Sequence, residues 1–207
     1  GGGVGDNAPG SGPATGTGGA VQGGAAFLDS PASLVATHLT VDRNTARGGK
    51  GADSAAGSGT EAGEGGFAYC GGVLISNSTG GLSEQPATIP LSISQSVITG
   101  NRVIGGEPGA GPAPANALGA GGLAQGGGMT LSGTLRTTLV GLRFIGNAAI
   151  GGLGKPAQAG GLINPYGQSV DPTATLTIVN SLFRNNEALG GDDATNPVYR
   201  RSLGGGF

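Results

Sequence analysis

Four asparagines occur in the same phrase along the chain, and an amide repeated at fixed spacing is the first place to look for chemistry. Asn44, Asn101, Asn147 and Asn186 sit in "VDRNTARGG", "ITGNRVIGG", "FIGNAAIGG" and "FRNNEALGG". A carboxamide can orient a substrate through hydrogen bonds, but it is neither an acid nor a base at neutral pH. A catalytic group also has no reason to recur in every unit. An amide at the same turn of each unit can instead donate to the next and build a ladder. The set therefore reads as architecture. Three residues before each Asn stands a large apolar residue: Val41, Ile98, Phe144 or Phe183. Four and five residues after it come the pairs Gly48-Gly49, Gly105-Gly106, Gly151-Gly152 and Gly190-Gly191. These pairs allow positive φ and close backbone approach. None of them leads into a helix carrying the Lys-Ser/Thr of a phosphate-binding loop.

The remaining reactive residue types are sparse. Glycoside hydrolysis needs two carboxylates facing each other across a cleft. Asp42 has Thr99 as its counterpart one unit on, and the adjacent Asp192 and Asp193 would face opposite ways on an extended segment. "GGKGADSAA" loosely resembles the start of a calcium-roll nonapeptide, which would involve Asp53. Such a roll shares ions between tandem copies, and this copy stands alone. Neither a metal nor a cofactor is expected. His38, the one histidine, aligns with Gln95, Gly141 and Asn180 and reads as a turn residue. Cys70 is the single cysteine, which excludes an internal disulfide framework, and its apolar neighbours suggest a buried thiol. Asn77-Ser78-Thr79 is a formal glycosylation sequon, and Arg200-Arg201 reads as solvated charge. Tyr69, Tyr166 and Tyr199 do not align with one another.

Composition narrows the class further. Glycine supplies 48 of the 207 residues without a strict Gly-X-Y period, so collagen is excluded. With five Phe, three Tyr and no Trp, a core must come from aliphatics, alanine and close backbone approach. A net charge of −2 lacks the clustered basic face that nucleic acid requires, and equally lacks a polybasic membrane patch. No apolar run reaches the ~20 residues of a membrane span. Opening on Gly1, the chain reads as a mature product or a fragment whose targeting segments lie outside it.

The elements that position the asparagines are short strands. Upstream of each Asn, "PLSISQSVI" and "TLTIVNSLF" alternate apolar and polar residues with period two. A second block, "GGAVQGG", "GGFAYCGG", "GGLAQGGG" and "GGLINPYG", recurs between them. Approximate units run over 18–64, 65–120, 121–159 and 160–203, with 204–207 starting another. Each holds three strands: the Gly-Gly-apolar strand, the alternating strand and a short strand ending in Asn. Length variation falls in low-complexity stretches such as "KGADSAAGSGTEAGE" and "EPGAGPAPANALGA", which read as projecting loops. Strands recurring at a fixed register without hairpin turns or helices predict an all-β fold, a parallel β-helix with about one coil per unit.

"FIGN" and "FRNN", alternating with "GGAV", "GGLA" and "GGLI", resemble the FxxN and GGA[ILV] repeats of chlamydial polymorphic outer-membrane proteins and related Gly-rich bacterial surface repeats. Val41 and Ile98 depart from the family's Phe. The resemblance implies a right-handed parallel β-helix, secreted, as in autotransporter passengers, and adhesive in function. The expectation is a non-enzymatic extracellular solenoid, a segment or subunit of a filament through end-to-end stacking. Its partners would be other copies or a host or surface glycan or protein, and the alternative is a polysaccharide-binding or polysaccharide-degrading β-helix.

Overall fold

A computed structural model describes residues 16–29, 33–54, 62–77, 89–111, 120–133, 135–164, 175–191 and 202–203. Asp192, Asp193, Tyr166, Tyr199, Arg200, Arg201, most of the sequon and residues 204–207 lie outside them. The described residues are all-β and contain no helix. The first coil carries β1 (Val21–Gln22), β2 (Ala26–Asp29), β3 (Leu34–Thr37), β4 (Thr40–Asp42) and β5 (Thr45–Arg47). The second carries β6 (Ala68–Tyr69), β7 (Val73–Asn77), β8 (Ile89–Ser94), β9 (Val97–Thr99) and β10 (Arg102–Ile104). The third repeats the order as β11 (Ala124–Gln125), β12 (Met129–Gly133), β13 (Leu135–Val140), β14 (Arg143–Ile145) and β15 (Ala148–Ile150). The fourth comprises β16 (Ala157–Gln158), β17 (Leu162–Ile163), β18 (Thr175–Val179), β19 (Leu182–Arg184) and β20 (Glu187–Leu189), and β21 (Ser202–Leu203) begins a fifth. Every strand pairs in parallel with its equivalent one coil on, giving five stacked sheets, the pattern of a parallel β-solenoid.

Two features differ from the sequence reading. Each coil holds five strands, not three: β2 and its equivalents occupy the supposed connector, and β5 and its equivalents follow the Asn. Segments such as "TAR" and "EAL" are too short for a period of two to be visible. Second, Ala124 pairs with Ala157, so the fourth coil begins before Gly160. "GGLI" instead pairs through Leu162 with Met129 of β12. A Gly-Gly-apolar pattern occurs at two places in a coil, which makes that block ambiguous as a boundary.

The interior tapers. Its wide end lies between the β2, β3 and β4 classes of strand and is filled by Ile75, Ile93, Ile98, Leu131, Leu139 and Phe144. Phe183 packs on it, its ring stacked on Phe144 with centroids 4.7 Å apart. Between the β1 and β5 classes a second core contains only Val and Ala, among them Ala46, Val103, Ala149 and Ala188. Beyond that, glycines of the chain entering one coil and of the chain leaving another meet backbone to backbone.

Candidate functional site

The Asn column is built at the turn between the fourth and fifth strands of each coil. Asn44 Nδ2 donates to Asn101 Oδ1 at 2.9 Å, Asn101 to Asn147 at 3.0 Å, and Asn147 to Asn186 at 2.9 Å. Each receiving Oδ1 also accepts the backbone N–H of the earlier Asn, at 3.0–3.1 Å. The second amide hydrogen goes to a backbone carbonyl, that of Val41 for Asn101 and of Ile98 for Asn147. Asn101 and Asn147 are completely buried, so the ladder satisfies their polar atoms where water cannot reach. All four predicted asparagines meet in this one ladder, beside the column Val41, Ile98, Phe144 and Phe183.

Three corners per coil lie in the left-handed region, and each does so in all four coils. One column is His38, Gln95, Gly141 and Asn180; another is Arg43, Gly100, Gly146 and Asn185. The third is Gly23, Cys70, Gly126 and Ala159. His38 is thus the turn residue its alignment suggested. Cys70, with φ of 64°, is a buried non-glycine residue at such a corner. Burial pushes its thiol up from an ordinary 9.0 to about 12.

The Gly-Gly pairs that follow the fifth strands do not use positive φ. They use close approach. Gly49 N–H donates to Gly19 at 2.8 Å, Gly66 to Gly49 at 2.8 Å, and Gly106 to Gly66 at 2.9 Å. Gly122 continues to Gly106 at 2.8 Å and Gly152 to Gly122 at 2.9 Å. The donors and acceptors alternate between chain leaving a coil and chain entering one, so the two kinds of segment interleave into a seam. A Cβ on Gly122 would meet the carbonyl of Gly66, and one on Gly152 the carbonyl of Gly106. Along the first leaving segment, Gly48, Gly51 and Ser54 donate to the next coil, while Gly49 and Ala52 donate across the seam. Arg47, Lys50 and Asp53 are exposed. Two inward residues for each outward one is the repeat of a threefold extended chain of the polyproline II type, with about three residues per turn. It is not the two-residue alternation of a strand. The described parts of the two low-complexity stretches, 50–54 and 62–64, and 107–111 and 120, therefore begin and end as ordered seam, which corrects their reading as loops throughout.

Asp53 sits in that seam. Its Oδ1 accepts from Lys50 Nζ at 2.6 Å and from the Ala110 N–H at 2.7 Å. The Lys50 hydrogen bond, then that of Ala110, holds its carboxyl below the usual range. Among the described residues no three His, Cys, Asp or Glu side chains gather as a metal site. Asp42 is paired with Arg43 at 2.8 Å, and its column continues as Thr99, Ile145 and Arg184, without a second carboxylate. Among the described residues no helix long and apolar enough to cross a membrane is present.

Two further rungs escaped the sequence reading. Ser96 and Ser181 stand five residues before Asn101 and Asn186, a signal present in alternate units only. Their hydroxyls accept the N–H of Leu39 at 3.0 Å and of Leu142 at 3.1 Å. Outside, Gln125 Nε2 donates to Gln158 Oε1 at 2.6 Å, in a column with Gln22 and Tyr69. Phe67 is exposed beside Tyr69, the ring centroids 6.4 Å apart. Comparison with family models, curated proteins and solved structures finds no match for the chain.

Proposed function

We propose that the protein is a non-enzymatic structural and adhesive β-solenoid of the secreted or cell-surface kind, wound right-handed. The single observation that carries this reading is where repetition falls. What recurs coil after coil is the set of buried rungs, the backbone geometry of the corners and the seam, whereas an outward column such as Asp42, Thr99, Ile145 and Arg184 changes from coil to coil. A repeat of that sort encodes a rigid frame and leaves display to whatever the frame carries. The right-handed winding follows the general preference of parallel crossovers. The resemblance to polymorphic outer-membrane protein repeats supports an extracellular location and self-association or attachment to a host or surface molecule. Protease treatment of intact source cells tests location, with degradation expected without lysis. A reducing-end release assay on a panel of polysaccharides tests the non-enzymatic role; released ends would overturn it.

One observation favours a second reading, polysaccharide binding along the flank. The Phe67 and Tyr69 rings form an outer pair bordered by the amides of Gln22 and Gln125, groups suited to stacking on and hydrogen bonding to a sugar. A glycan array comparing the natural chain with Phe67→Ala tests it. A signal lost in the variant would establish this reading, and silence from both chains would end it.

A further inference from the structure

The two ends of the stack differ in ways that match each other. At the first-coil end, Ala26, Ala36 and Val41 stand where the second coil has Val73, Ile93 and Ile98. A cavity of about 230 Å³ lies there, lined in part by Leu28, Leu34 and Ala36. At the fourth-coil end, Leu176, Ile178 and Phe183 are large and only partly buried. Their columns run back through Thr137, Leu139 and Phe144 to Leu34, Ala36 and Val41. A fourth coil laid on a first coil in unchanged register therefore places Ile178 over Ala36 and Phe183 over Val41, large on small.

Charge and hydrogen bonding agree with that register. Arg184 shares its column with Asp42, so the same stacking sets a cation directly on an anion. Glu187 shares its column with Thr45, two residues from Arg47 on the same strand. The Asn ladder is also directional, each amide donating toward the later coil. Among the described residues Asn44 receives from no earlier rung and Asn186 has no later rung to donate to, so joining the two ends extends the ladder by one step.

We infer that copies of this chain join head to tail, the fourth coil of one on the first coil of the next. The inference deepens the scaffold reading by naming its partner as a second copy. Such a contact is heterologous and grows without closing. One place is contested. β21 already stands on β16, where the incoming β1 would pair, so one of these two-residue strands must yield. β21 thereby acts as an end stop.

Cross-linking tests the register. Strands of consecutive coils stand ~4.8 Å apart, a separation that a disulfide spans. Within one copy positions 42 and 184 lie three coils apart, about 14 Å, out of reach. Oxidising the full chain carrying Asp42→Cys and Arg184→Cys should give a ladder of disulfide-linked multimers, whereas each single variant should stop at dimers. Cys70 is buried and stays out of the reaction. Deleting residues 202–207 should lengthen the ladder. Arg184→Glu should raise the concentration needed for assembly roughly fivefold, and adding Asp42→Arg should restore it. No species beyond dimer in the double-cysteine variant, or failure of the reversed pair to restore assembly, overturns the inference. A natural chain that stays monomeric at every concentration overturns it too, yet leaves the scaffold reading intact. Polysaccharide cleavage would remove that reading whatever the assembly does.

Discussion

The two edges of the coil solve the same packing problem in opposite ways. At the wide edge the space between strands is filled by Ile, Leu and Phe side chains. At the seam it is closed by removing side chains until backbones touch and hydrogen-bond. The first edge draws its stability from removing apolar surface from water, at about 25 cal/mol per Å². The second relies on satisfied amides in close contact, each worth about 1 kcal/mol net. The wide edge should therefore tolerate an exchange of one aliphatic residue for another. The seam should tolerate nothing larger than hydrogen where its backbones touch, as at Gly122 and Gly152. A glycine-rich segment here is a packed element, and composition alone would have assigned it to solvent.

Substitutions that empty one edge or fill the other separate these accounts. Phe144→Ala should have the largest effect, about 3–5 kcal/mol by chemical denaturation, because it opens a cavity under the Phe183 ring. Asn147→Ala follows at about 3 kcal/mol, since it strands two buried donors of Asn101, the backbone N–H and one amide hydrogen, at roughly 1–3 kcal/mol per group. Gly122→Ala comes next, about 2–3 kcal/mol, read in the same denaturation series. Its control is Gly146→Ala, where nothing lies within 4 Å of the added Cβ and only a φ of 61° opposes it. The control should lose about 1 kcal/mol, and equal losses at the two glycines would refute close approach as the seam's requirement. The last effect concerns pH and is absent at neutral pH. The folded thiol of Cys70 holds its proton to about 12, while the unfolded one releases it near 9.0. Its contribution is thus complete below pH 9 and falls as pH rises toward 12. In thermal scans the difference between the natural chain and Cys70→Gly should stay constant below pH 9 and change only in that window.

How much of this was legible depended on whether a position repeats a residue type. Asn44, Asn101, Asn147 and Asn186 share one chemistry, so their ladder was readable, as was the apolar column beside it. The corner Gly23, Cys70, Gly126 and Ala159 shares a backbone angle with mixed side chains, and no letter pattern marks it. β5 and its equivalents are three residues long, below the length at which alternation carries information. The seam was misread for a deeper reason. Hydrophobic periodicity detects packing by side chains, and a segment that packs through its backbone presents only a third-residue rhythm, Arg47, Lys50, Asp53, hidden within glycine abundance. The seam also disguised the fourth coil's start, because Gly-Gly precedes two different strands.

The interleaving has a mechanical consequence. The stems at 47–54 and 62–67 are held in the seam by rows of hydrogen bonds, each stem between neighbours of the opposite kind. A pull along the stems away from the coil loads those bonds together, in shear, so that force spreads over the row before any one gives way. A pull parallel to the stack would instead peel them singly. The frame should be stiff to tugging at the tips of what it displays and weak to being unwound from an end.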